Sequence, residues 1–115
     1  MEPTPQGISL SSYRVLWHDR VKADLKQIGP SEAERLIRAA EEKLARAPEL
    51  IGQPLKGTAR RLWKLRFGKY RVVYTLHPRT KEVQVLSIQT RDIIYRPAHL
   101  ESLLKLAIAL SQTSA

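Results

Sequence analysis

The chain contains no cysteine, which excludes disulfides and thiolate metal sites. It has only three histidines, His18, His77 and His99, in three separate predicted elements. No ligand spacing links them, so no metal site is expected. No uncharged apolar run reaches the roughly 18 residues that a membrane-spanning helix needs. The N-terminal Met-Glu-Pro-Thr-Pro has neither a basic nor an apolar stretch, so no signal peptide is expected and the compartment is expected to be cytoplasmic. Acids are scarce where bases are dense. From Ile51 to Arg96 there are eleven Lys/Arg and only two acids, Glu82 and Asp92. That surplus of nine equals the formal charge of the whole chain, +9. Residues 1–50 balance at eight of each sign, and residues 97–115 hold only Lys105 and Glu101. Charge this local steers and retains an anionic partner better than a high pI alone, so a polyanion is the expected ligand.

At 115 residues the chain suffices for one domain with a single core. Residues 1–11, with two prolines, Gly7 and several Ser/Thr, read as a flexible arm, leaving residues 12–115 as the domain. Tyr13 to Trp17 is a short strand-like run. Asp19 is placed to cap a helix bearing Val21, Leu25 and Ile28 on one face. Gly29-Pro30 breaks it, and Ser31 with Glu34 has the form of a capping box for a second helix. That helix is expected to bury Ala33, Leu36, Ile37, Ala40 and Leu44 and to end before Pro48. Pro48 to Gly57 reads as a loop pinned by Leu50, Ile51 and Leu55.

Three strands follow. Trp63, Leu65 and Phe67 alternate with Lys64 and Arg66. Gly68-Lys69 makes a two-residue hairpin turn. Tyr70, Val72, Tyr74 and Leu76 then share one face, while Arg71, Val73 and Thr75 share the other. After a turn at Pro78 to Lys81, Glu82 to Thr90 is the third strand, with Leu86 and Ile88 facing the core. The stretch Ala98 to Leu110 is helical in pattern, with Leu100, Leu103, Leu104, Ala107 and Ile108 in one stripe and Leu106 and Leu110 extending it. The expected class is therefore α+β: an N-terminal strand, a two-helix hairpin on one sheet face, a three-stranded antiparallel meander and a C-terminal helix over residues 98–111.

This alternation puts Lys64, Arg66 and Arg71 on one sheet face. Arg91 and Tyr95 join them if the third strand pairs with the second. Cations converging on a shallow groove, with two acids across 46 residues to neutralise them, suit a phosphate backbone. Cleaving RNA at such a site requires three things: a deprotonated 2′-hydroxyl, a stabilised phosphorane and a protonated 5′-oxygen. With no histidine pair available, Lys64 is the candidate proton carrier. Arg71 is the fork for the non-bridging oxygens, Arg91 the group near the leaving oxygen, and Tyr95 the ring that stacks on a base or orients the hydroxyl. Arg66, Lys56, Arg60, Arg61 and Lys69 are candidates for electrostatic grip on RNA.

Three runs, in order, carry a family resemblance. They are Leu-Lys-Gly at 55–57, Leu-Trp-Lys-Leu-Arg-Phe-Gly-Lys-Tyr-Arg-Val-Val-Tyr at 62–74, and Val-Leu-Ser-Ile-Gln-Thr-Arg at 85–91 followed by Tyr95. The sequence resembles the RelE branch of the RelE/ParE toxin superfamily from about Tyr13 to Arg96. The resemblance implies a ribosome-dependent mRNA interferase that enters the ribosomal A site. It would cleave the message without metal or other cofactor and leave a 2′,3′-cyclic phosphate. The family's basic positions fall on Lys64, Arg66, Arg71 and Arg91, and its C-terminal tyrosine on Tyr95. Where some members carry a second lysine this chain has Arg66, a poor proton carrier, which leaves proton transfer to Lys64. The resemblance also implies a cognate acidic antitoxin as partner, able to wrap the cationic sheet and dock a helix on apolar ground such as Leu100 to Leu110. Two other readings remain open at this point: a ParE-like inhibitor of DNA gyrase, and a nucleic-acid-binding module without chemistry.

Overall fold

Alternation in the sequence becomes alternation in space. The computed structural model of the protein describes residues 12–113. The proposed arm, residues 1–11, lies outside the described residues. Strand β1 (Arg14–Trp17) is followed by helices α1 (Val21–Ile28) and α2 (Pro30–Arg46) and a single turn, α3 (Pro48–Ile51). Strands β2 (Gln53–Pro54), β3 (Trp63–Phe67), β4 (Tyr70–His77) and β5 (Glu82–Thr90) come next, then α4 (Arg91–Ile94) and α5 (Pro97–Thr113). The sheet order is β1-β5-β4-β3-β2, with β1 parallel to β5 and the other pairs antiparallel. The meander is as expected. β1 flanks it at one edge and the two-residue β2, read from sequence as loop, at the other.

The sheet has a core on each face. Trp63, Leu65, Val72, Tyr74, Val83, Val85 and Ile88 pack under α1 and α2, against Val21, Leu36, Ala40 and Leu44. Leu62, Val73 and Leu86 pack on the opposite face against Ile94, Leu103 and Ala107. Leu86 and Ile88 therefore face different cores. The cause is a bulge. Val73 pairs with Ser87, yet Tyr74 pairs with Val85, so β5 carries one extra residue and its alternation shifts phase. α5 is packed on its own domain through Leu103 and Ala107, with Leu100, Leu104, Leu106 and Leu110 at the margin. Ile108, expected in the buried stripe, turns outward at 39% exposure.

Three local expectations need correction. Asp19 does not cap α1: Arg20 is the N-cap, no side chain caps the helix, and Asp19 pairs with Lys22 instead. The Ser31/Glu34 capping box does not form either. Pro30 lacks an N–H and has its φ preset for a first helical turn, so α2 starts one residue before the box, with Gly29 at φ 101° as N-cap. Glu34 instead pairs with Arg38 one turn on, at 3.0 Å. Leu50 does not pin its loop; it is 83% exposed, whereas Leu55 is buried.

The open edge of β5 beyond β1 is satisfied from a helix. Asp24 on α1 accepts the Ile88 amide at 2.9 Å and the Gln89 side chain at 2.7 Å. Ser87, fully buried beside it, meets His99 of α5 at 3.1 Å. Burial holds the His99 pKa below its usual 6.5, helped by Arg20 and Arg96 and opposed by Asp24. Burial lowers His77 as well, against the pull of Glu82. Below 6.5 the unfolded chain therefore takes up these protons before the folded one does. Stability is fully present above 6.5 and is lost as pH falls through the lower folded-state values. Tm is expected to drop between pH 7.5 and 5.5, and the drop to shrink in His99→Gln. A Tm that is flat over this range in the parent protein contradicts the assignment.

Candidate active site

Strand register brings the cations together. Lys64 sits opposite Gln53 on one side and Val73 on the other, and Arg66 sits directly opposite Arg71. A cleft of about 450 Å³ opens on this face, where Lys64, Arg66, Arg71 and Arg91 line it together with Ile51 and Gln53. Among the described residues, no carboxylate lines it. The two acids of the cationic segment are engaged elsewhere: Glu82 pairs with Arg14 at the far end of β5, and Asp92 accepts from Thr90. Like charges opposite each other on antiparallel strands destabilise the pair, so Arg66 and Arg71 carry a repulsion that an anion in the cleft relieves.

Lys64, Tyr95 and Arg71 each have an identifiable support. Lys64 Nζ donates to the Tyr95 hydroxyl at 2.7 Å and lies 5.3 Å from the centre of its ring. Tyr95 follows Ile94, which is fully buried in the second core and anchors α4. Arg71 is half-buried, and its Nη1 donates to the Gly68 carbonyl at 3.3 Å and to the Tyr70 carbonyl at 3.2 Å. The hairpin turn thus orients its guanidinium. Arg66 and Arg91 are exposed, and Tyr95 is 37% exposed.

The other predicted RNA contacts lie outside the cleft. Lys56 is exposed in the loop between β2 and β3. Arg60 and Arg61 line a second depression with Thr75, His77 and Ala107, at the opposite end of the same sheet face. Their loop is held there by the buried Thr58, whose hydroxyl donates to Leu55 at 2.7 Å. Lys69 lies at the hairpin tip, 5.4 Å from the centre of the Tyr70 ring. Ile51 and Gln53 are the cleft residues that the sequence reading missed. The two-residue strand Gln53–Pro54 has no periodicity to detect.

The β2 wall is fixed by close packing. The buried Tyr74 hydroxyl donates to the Pro48 carbonyl at 2.7 Å. Burial, aided by the charge of Glu49, raises the Tyr74 pKa, which keeps the phenol a neutral donor. Tyr13 donates to Glu49 at 2.9 Å, and burial together with that carboxylate raises its pKa to about 12. A Cβ on Gly52 would overlap the Tyr74 hydroxyl and come within 3.0 Å of the Lys64 carbonyl. Gly52→Ala is therefore expected to cost roughly 1–3 kcal/mol by overpacking and to lower Tm. Adding Tyr74→Phe removes the overlapping oxygen, so the double variant should be more stable than the two single losses predict. Strict additivity would contradict this contact.

Comparison with known proteins agrees with this architecture. The family model for the ParE toxin of type II toxin-antitoxin systems, parDE, matches residues 15–95. The chain belongs to the ParE toxin family, within the RelE/ParE superfamily. It is a toxin of a type II toxin-antitoxin system. Among solved structures, the toxin resembles a chain of the toxin-antitoxin complex RelBE2 from Mycobacterium tuberculosis, at 24% identity and TM-score 0.65, over 71% of this chain and 94% of that one. It also resembles a chain of the archaeal RelE-RelB complex from Pyrococcus horikoshii, at 26% identity and TM-score 0.54, over 70% and 96%. A mutant of the E. coli toxin RelE in the free state matches at 18% identity and TM-score 0.63, over 82% and 96%. No curated protein sequence matches the toxin significantly. The toxin shares the RelE fold. Among its described residues, no helix is long and apolar enough to cross a membrane.

Proposed function

We propose that the toxin is a ribosome-dependent mRNA endonuclease that blocks translation. The observation that carries this reading is the convergence of Lys64, Arg66, Arg71 and Arg91 on one acid-free cleft, with the Tyr95 hydroxyl 2.7 Å from Lys64 Nζ. RNA supplies its own nucleophile. Reacting as the neutral amine, Lys64 takes the proton from the 2′-hydroxyl, the 2′-oxygen bonds to phosphorus, and the bond from phosphorus to the 5′-oxygen breaks, leaving a 2′,3′-cyclic phosphate. Arg71 holds the non-bridging oxygens as charge builds on them, while Arg66 grips the phosphate backbone. Arg91, at the start of α4, stabilises the leaving oxygen until the Lys64 ammonium, directly or through water, returns the proton to it. Tyr95 orients Lys64 and offers a ring for a neighbouring base. The partner that silences the toxin is an acidic antitoxin segment, complementary to the same cations, and two of the similar solved structures are toxin-antitoxin complexes.

A second reading, inhibition of DNA gyrase, is favoured by the match to the ParE family model. One experiment separates the two. Purified toxin added to translating ribosomes is expected to cut messages within A-site codons and to leave gyrase supercoiling unaffected. Intact message with inhibited supercoiling would establish the second reading. Cleavage should also weaken steeply as salt rises, because phosphate contacts release counterions.

A further inference from the structure

Four cations on one cleft bind phosphate and carry no base information, since phosphate contacts position a nucleic acid without reading it. One cleft residue differs in kind. Among the described residues that line the cleft, Gln53 is the only uncharged hydrogen-bonding side chain. Its cross-strand partner is Lys64, and registered partners share a sheet face, so Gln53 stands beside the proposed proton carrier. It is exposed, and its amide has no side-chain hydrogen bond among the described residues. Its backbone is stiff, because Gly52 is packed against Tyr74 and α3 is tied to Tyr74 through Pro48. Ile51, 39% exposed, adds apolar surface at the same wall.

We propose that Gln53 reads the edge of an RNA base next to the scissile phosphate, with Ile51 packing beside that base. A carboxamide presents a donor and an acceptor in one plane, the chemistry that discriminates base edges. Unstacked RNA bases are recognised through such edges together with packing on a side chain. The energetic condition is preorganisation: a side chain on a fixed strand loses little entropy when it binds. Gln53 is thus a specificity residue beside the catalytic group. The inference rests on the nuclease reading above.

The test uses ribosomes programmed with messages that differ at one base around the cut. Wild-type toxin is expected to prefer one base by about tenfold or more, the size of one good base-edge contact. Gln53→Met keeps the length of the side chain and removes its hydrogen bonds. It is expected to keep cutting while the preference falls to about twofold or less. Gln53→Glu keeps acceptors and loses the donor, so its preference should move toward bases that present an amino group. Cleavage with the wild-type base profile in both variants overturns the inference and leaves the nuclease standing. A wild-type enzyme that cuts without base preference overturns it as well. Absence of cleavage by the wild type, on every message, overturns the nuclease reading and this inference with it.

Discussion

Lys64→Ala is expected to lower message cleavage by about 10²–10⁴-fold, the usual contribution of one positioned proton-transfer group. Growth arrest should be lost with it, while thermal unfolding stays near that of the parent. The reason is local. Lys64 points from a strand into the cleft, so its truncation opens no core cavity. What disappears is the proposed proton carrier, the amino group that donates to the Tyr95 hydroxyl at 2.7 Å. Lys64→Arg separates the two roles. It restores a cation and RNA affinity but not proton transfer, because arginine keeps its proton. The arginine variant should therefore bind and fail to cut. If it cuts at the wild-type rate, Lys64 contributes charge alone.

The second large effect is expected at Arg71. Arg71→Ala should reduce cleavage by about 10²–10³-fold, the range for removing one preorganised donor from developing oxyanion charge. Arg66→Ala should cost much less in rate and act mainly on affinity. The contrast follows from geometry. Arg71 is half-buried, with its guanidinium aligned by the Gly68 and Tyr70 carbonyls, whereas Arg66 is exposed on the adjacent strand. Both substitutions should leave Tm unchanged or slightly raised, more so at low salt, because each removes one member of a facing like-charged pair. Equal rate losses at the two positions would contradict the separation of roles. A marked loss of stability in either variant would show that the residue supports the fold.

On the proposed reading, one patch would serve both RNA and an inhibitor. The field there is uncompensated, since Glu82 and Asp92 are occupied by Arg14 and Thr90. Any flexible acidic segment that reaches the cleft competes with a phosphate backbone for the same side chains. An antitoxin that acted in this way would need no separate allosteric device.

Much of this was determined by the sequence itself. A side-chain period of two assigns Lys64, Arg66 and Arg71 to one face, because successive strand residues point to opposite sides. Gly68-Lys69 sets the register that places Arg66 opposite Arg71, and the structure has that register. The helical hairpin and the buried positions of α2, apart from the half-buried Ile37, were legible from the 3.6-residue period. Other features were decided only in three dimensions. Which cations share the cleft depended on distance along the strand: Arg60 and Arg61 lie on the correct face but at its other end. The bulge in β5 sends Leu86 and Ile88 to different cores, and no local pattern announces an extra residue whose partner is another strand. The place of Gln53 beside Lys64 arises from a two-residue strand held by Gly52 against Tyr74, a contact between segments about twenty residues apart in sequence. Local periodicity reports which face a side chain takes. Position along that face comes from long-range packing, and in this toxin that packing decides which of its many cations meet at one site.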